Sequence, residues 1–341
     1  MAVRPELKKQ IEELYRKHPE EARDSFGEDP FEVKNILKYW VFSEKPEFHV
    51  IPTDTINIHI DKDALLRSGI MLPKTIRHLK GEDLKDAIPD KLYIPLTDIR
   101  MLTKVDLLML EMLANCNWER PLYLAISVGS VSKLKFDNYF VQEGLAFRFT
   151  PFDYKKWGDV GENRLYAVDV ERLYDNVMNR YKYGGLDTPG LYLDETTLRT
   201  CWYHRRLFAQ LAKELIAQGD NERAKKVLAY AEQVIPGYNV PETHESGSYD
   251  IATAYAALGE KTKAVTLAVH LIAEAEDYIN WAFSLKGNRI EMVRNDCIYK
   301  FWQWNQYNEL LKKIDGEKYK ESNRQFEEKY ALFAPTMNYK N

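Results

Sequence analysis

At 341 residues the chain suits two domains, each long enough to bury its own core. Apolar content of 45% and charged content of 29% exclude wholesale disorder, and a net charge of −4 supplies no global basic field for broad nucleic-acid binding. No apolar run approaches the roughly 20 residues of a membrane helix, and the charged, helix-patterned start lacks the apolar core of a signal peptide.

In chain order, residues 4–17 form an amphipathic helix with Leu7, Ile11 and Leu14 on one face. The tract HPEEARDSFGEDP is a polar connector whose Pro30 opens the helix FEVKNILKYWVF. INIHID follows, with Ile56, Ile58 and Ile60 alternating with Asn57 and His59, the pattern of a half-buried strand. DKDALLRSG reads as a short capped helix ended by Gly69. KLYIPL (91–96) is a strand, and 103–115 a helix whose Leu107, Leu110, Met112 and Leu113 mark a wide apolar face. PLYLAISV (121–128) is almost wholly apolar, as a strand covered on both faces would be. Strand, helix and strand in this space predict a right-handed βαβ unit in a partly parallel sheet. LAFRFTPF adds a strand with Arg148 opposite Phe147 and Phe149. A linker rich in Gly, Asp and Lys spans 154–164, and a helix then stops at Gly184-Gly185.

From Leu191 the pattern is helical. RLFAQLAKELIAQGDNERAKKVLAYAEQVIP fits a tetratricopeptide-like repeat. Phe208, Leu211, Ala212 and Leu215 lie on its first helix, Gly219 at the turn, and Ala224, Leu228 and Ala231 on the second. SYDIATAYAALGEKTKAVTLAVHLI repeats this with Tyr255, Gly259 and Ala264. The second glycine lies 40 residues after the first, beyond the usual spacing of about 34, with the excess in the loop PGYNVPETHE. A degenerate third hairpin near 293–330 caps the stack. The expected organisation is an α/β domain over 1–165, a connecting helix and Gly-Gly turn over 166–190, and helical repeats over 191–341.

Several stretches invite chemistry. HIDKD (59–63) contains Asp61-x-Asp63 after a strand, the pattern by which many nucleotide-sugar transferases hold a divalent metal. An aspartate pair at a strand-to-helix junction is more often a helix cap, and no Gly-rich phosphate cradle accompanies this one. NWERP (117–121) is an active-site loop or a joint. In the second reading an Asn ends the helix, Trp118 packs over its end, and Pro121 extends Arg120 into the strand. The joint is favoured because no nucleophile and base stand nearby, and Arg120 is the member best suited to a second role. His204 in CWYHRRL has no His or Cys at ligand spacing, so a structural role is expected. FWQWNQY (301–307) offers rings for sugars or peptide, with a packed core as the rival reading. Cys116, Cys201 and Cys297 lie too far apart to signal a zinc site or a disulfide framework.

The blocks NCNWERPLYLAISVG, NYFVQEGLAFRFTPF and VERLYDNVMNRYKYGGL together resemble a known family. It is the soluble C-terminal region of bacterial multi-pass membrane proteins whose N-terminal part is protein O-mannosyltransferase-like. The match rests on Asn117, Trp118, Arg120, Pro121 and Tyr123, then on Tyr139, Phe140, Glu143 to Ala146 and Arg148. Downstream, Asn176, Met178, Asn179, Gly184 and Gly185 continue it. The resemblance implies a periplasmic location beside the inner membrane. It implies that sugar transfer uses acidic residues of the membrane half, so no catalytic, cofactor or metal residue carries over. The expected partners are that membrane half and an exported acceptor protein or peptide, with no nucleic acid. Trp118, Arg120, Arg148 and Tyr203 are the expected contact residues, with Tyr255 in the repeat groove. Two rivals stand: a metal-dependent sugar transferase using Asp61 and Asp63, and a purely structural scaffold.

Overall fold

Isoleucines at every second position organise the first half of the molecule. The computed structural model describes residues 1–128, 134, 136–161, 166–285 and 289–337. It divides into two compact units, Met1–Asp169 and Val170–Asn341.

The first unit opens with strand β1 (Ala2–Val3) and helices α1 (Leu7–Lys17) and α2 (Pro19–Phe26). Beyond Pro30, α3 (Val33–Ile36) widens into a π turn at Leu37–Val41, and β2 (Val50–Ile51) returns to pair in parallel with β1. In β3 (Thr55–His59) Ile56 and Ile58 are buried, and so is Asn57, which strict alternation puts outside. The reason is local: the Asn57 amide donates to the Phe31 carbonyl at 2.9 Å, and Glu32 bridges the same position, covering that face. Helix α4 (Lys62–Arg67) is capped by Asp61 and followed by Gly69 at φ 64°. Helix α5 (Gly81–Ala87) leads into β4 (Lys91–Pro95), which lies antiparallel to β3 with Tyr93 opposite Asn57.

Helix α6 (Lys104–Asn115) starts in a capping box between Thr103 and Asp106 and ends at Cys116. The next strand, β5 (Tyr123–Ala125), is an edge of a four-stranded sheet ordered β5-β7-β6-β8, with β6 (Phe140–Gln142), β7 (Ala146–Phe149) and β8 (Ala167–Val168). Only the β6–β8 pairing is parallel there.

Three expectations fail in this region. β4 and β5 belong to different sheets, so no βαβ unit forms across α6. β4 satisfies its ladder against β3 over five residues, which leaves β5 to find another partner. Nor is 121–128 covered on both faces. The strand is three residues long, with Tyr123 and Ala125 exposed, and Pro121 before it lacks the N–H a central strand would need. Residues 154–161 are no loose linker either, since Tyr154 is fully buried and donates its hydroxyl to the Met71 carbonyl, while 162–164 of the expected linker lie outside the described residues.

The second unit begins with α7 (Val170–Asp175), which passes into a π turn at Asn176–Arg180. Paired long helices follow: α8 (Glu195–Ala217) with α9 (Asn221–Val234), and α10 (Ser248–Ala257) with α11 (Lys261–Ser284). After the short α12 (Arg289–Met292), α13 (Arg294–Ile314) pairs with α14 (Gly316–Met337). Each pair packs on the next through α8–α10 and α11–α13. Gly219 and Gly259, at φ 80° and 77°, make the turns that a side chain would strain. Phe208, Leu211, Ala212, Leu215, Ala224, Leu228, Ala231, Tyr255 and Ala264 are all buried, as the repeat pattern requires.

The long inter-hairpin loop is held by one buried side chain. The Arg205 guanidinium donates to the carbonyls of Ile235 (3.0 Å), Val240 (2.6 Å) and Pro241 (2.8 Å) and to Ser246 Oγ (3.1 Å). Residues 183–190 also pack within this unit: Tyr183 lies against Phe208 and Tyr230, and Asn239 Nδ2 donates to the Leu186 and Thr188 carbonyls. The Gly-Gly turn of the expected 166–190 connector thus packs against the helices of this unit.

Candidate functional site

Just after α6 comes the most unusual backbone among the described residues. Asn117 and Trp118 both have positive φ, 46° and 60°. Asn tolerates the left-handed region, but a bulky residue there is an outlier costing about 1–3 kcal/mol, stable only if its surroundings impose it. They do. Trp118 is 6% exposed, stacks on Phe149 at 6.3 Å and 19°, and donates its indole N–H to the His59 carbonyl at 2.7 Å. That bond joins the NWERP block to the HIDKD block, 59 residues apart.

Between them lies a polar cavity of about 490 Å³. Its wall carries Asp61, Lys62 and Asp63 from the start of α4, Asn117 to Glu119 from the end of α6, and Glu32, Lys34 and Lys85. Asp61 Oδ1 accepts from the Ala64 amide at 2.9 Å and so serves as the helix cap. Asp63 pairs with Lys85 at 2.8 Å. That hydrogen bond holds the Asp63 carboxyl below its ordinary range and raises the Lys85 ammonium. Lys62 pairs with Asp90 at 2.7 Å, and Lys34 Nζ donates to Asn117 Oδ1 at 2.8 Å. Among the described residues no three His, Cys, Asp or Glu side chains are grouped as metal ligands. The aspartates predicted as a metal pair thus share a cavity but are engaged by a backbone amide and a lysine.

Arg120, predicted to be the functional member of NWERP, is exposed and does not line this cavity. Arg148, predicted as a contact residue, is 3% exposed and faces inward. It bonds the Ser68 carbonyl (3.0 Å) and Ser68 Oγ (2.7 Å) and pairs with buried Glu143 at 3.6 Å. Glu143 Oε2 in turn accepts from the Tyr123 hydroxyl at 2.7 Å. Three residues of the family-like blocks therefore form one network, buried at Glu143 and Arg148 and reaching the surface at Tyr123.

In the helical unit, Tyr255 is 5% exposed and lines a cavity of about 330 Å³ between α9 and α11, with Arg205, Glu232, Glu242 and Lys263. Its hydroxyl donates to Glu232, which Lys263 also holds at 2.7 Å. Tyr203 is half-buried beneath the Arg206 guanidinium. His204 sits edge-on to Tyr181 and Tyr183, and burial pushes its imidazole pKa down. The FWQWNQY stretch splits: Phe301, Trp304 and Tyr307 are core, whereas Trp302 is 48% exposed and stacks on Tyr299 at 5.6 Å and 11°. His244 meets both of these rings, lies flat against Tyr249, and its Nδ1 hydrogen-bonds Tyr307.

Two features carried no periodic signal. One is the rim formed by Lys34, Lys85 and Glu119, which is assembled from three distant segments. The other is an apolar groove of about 200 Å³ between α6 and β5, lined on the helix side by Val105, Met109 and Met112, of which Val105 and Met112 are about half exposed. The α6 face expected to be buried through Met112 is in fact split: Leu110 and Leu113 are buried, while Leu108 and Met112 meet solvent.

Residues 6–171 match the model of a family described as TMEM260-associated domain 2. No curated protein and no solved structure matches the chain.

Proposed function

We propose that this chain is a non-catalytic accessory portion of a membrane protein O-mannosyltransferase-like glycosyltransferase, working beside the membrane on its periplasmic face. One observation carries the reading. The family match spans almost the same residues as the first compact unit, and within it the motif side chains Trp118, Glu143 and Arg148 are spent on holding the fold together.

The reading assigns a surface to each unit. The apolar groove between α6 and β5, with Val105, Met112 and Tyr123 exposed around it, supports docking on the membrane half. On the tetratricopeptide-like unit, Tyr203 of α8, Tyr249 of α10 and the Tyr299–Trp302 stack of α13 give an aromatic surface suited to an exported acceptor protein. Photo-crosslinking from positions 203 and 302 to exported proteins tests this. Acceptor adducts at these positions are expected; adducts absent there while transfer by the intact enzyme continues would defeat the assignment.

A further inference from the structure

The cavity beside Trp118 lies within the roughly 300–1,000 Å³ range of small-molecule sites, at about 490 Å³. Its charge pattern narrows what fits. A phosphate would face four carboxylates, those of Glu32, Asp61, Asp63 and Glu119. A metal cation would face three ammonium groups, and Asp61 Oδ1 already accepts the Ala64 amide. What the wall offers is hydrogen-bond donors and acceptors together, with Asn117 carrying both kinds and Trp118, Leu113 and Ala114 adding apolar surface.

We infer that this cavity binds a neutral, hydroxyl-rich ligand, a saccharide. A sugar hydroxyl donates and accepts at once, so it satisfies a carboxylate and a neighbouring ammonium together without bringing net charge. The wall is held in shape for it. Lys85 fixes Asp63, Lys34 fixes the Asn117 amide, and the Trp118 indole is anchored on the His59 carbonyl. The backbone strain at Asn117 and Trp118 is thereby maintained at the wall of a polar cavity. The inference is independent of the accessory role, which concerns association with the membrane half.

The test is a titration of the isotope-labelled full chain with mannobiose, maltose and myo-inositol, followed by NMR, with inorganic phosphate and manganese chloride in parallel. Saturable shifts of the Asn117 amide, Trp118 indole and Glu119 amide with a saccharide are expected. Lys34→Ala and Glu119→Gln, both at exposed positions, are expected to weaken binding by about tenfold with the thermal midpoint unchanged. No shift at these positions with any of the sugars, shifts from phosphate or manganese alone, or binding unaffected by both variants would overturn the inference.

Discussion

The indole N–H of Trp118 donates to the backbone carbonyl of His59 at 2.7 Å, tying the end of α6 to the end of β3. Because Trp118 sits at φ 60°, this bond and the ring's burial must together outweigh an unfavourable backbone. Trp118→Phe should lower stability by about 1 kcal/mol through the lost hydrogen bond. Trp118→Ala should lower it by about 3–5 kcal/mol through the cavity left behind. Urea unfolding of both variants checks the ordering. Two equal values would mean the hydrogen bond carries the joint.

The Arg148–Glu143 pair makes a different prediction. Removing one partner strands a buried charge, so Arg148→Met should cost about 3–5 kcal/mol. Replacing both, as Arg148→Met with Glu143→Leu, should recover much of that loss. A double-mutant cycle in denaturant measures the coupling, and additive losses would show the two side chains do not act together.

Acid stability has a local source at Asp29. Burial raises its pKa, but the hydrogen bonds from Lys91 and the Phe31 amide outweigh burial and leave it below its ordinary 3.8. A carboxylate with a depressed folded pKa stabilises above 3.8, and that contribution is lost as pH falls through the folded value. Lys91 is raised above 10.5 by the same bond, so its share is present below that value and lost at higher pH. Lys91→Met should lower the thermal midpoint across the neutral-to-mildly-acid plateau and flatten its fall below about pH 4, so that the two proteins converge in strong acid. An unchanged acid limb would place the acid sensitivity elsewhere.

Most of the helical unit was legible because a 3.6-residue period, small residues at helix crossings and glycine at each turn all point the same way. Gly219, Ala224 and Ala231 lie where the pattern puts them. The 40-residue spacing of the turn glycines was equally visible, but its physical meaning was not. It is explained by Arg205, which gathers three loop carbonyls and a serine hydroxyl into the core. In the first unit, elements were readable and pairings were not. Nothing in KLYIPL or PLYLAISV states which strand will be its neighbour, so β4 and β5 were assigned to one sheet. Arg148 shows the same gap at the level of a side chain: an arginine alternating with phenylalanines reads as outward-facing until its buried partner, five residues earlier across a tight turn, is seen. The Asp61 cap was readable, because its chemistry is local.

The α6 face gives a prediction about association. Val105 and Met112 line the groove and are about half exposed, so Val105→Glu and Met112→Glu should each change stability by no more than about 0.5 kcal/mol. If the groove docks as proposed, the same pair should abolish co-purification with the proposed membrane half. Retained co-purification would move docking to another surface.

The account's central claim is that this chain supports sugar transfer without performing it. The direct measurement is transfer of labelled sugar to an acceptor protein, by the chain alone and by the chain together with the membrane half proposed for it. The account predicts background incorporation for the chain alone, with nucleotide-sugar or polyprenyl-phosphate donors and with manganese present, and full incorporation for the assembly. Turnover by the isolated chain that disappears in Asp63→Asn would contradict it.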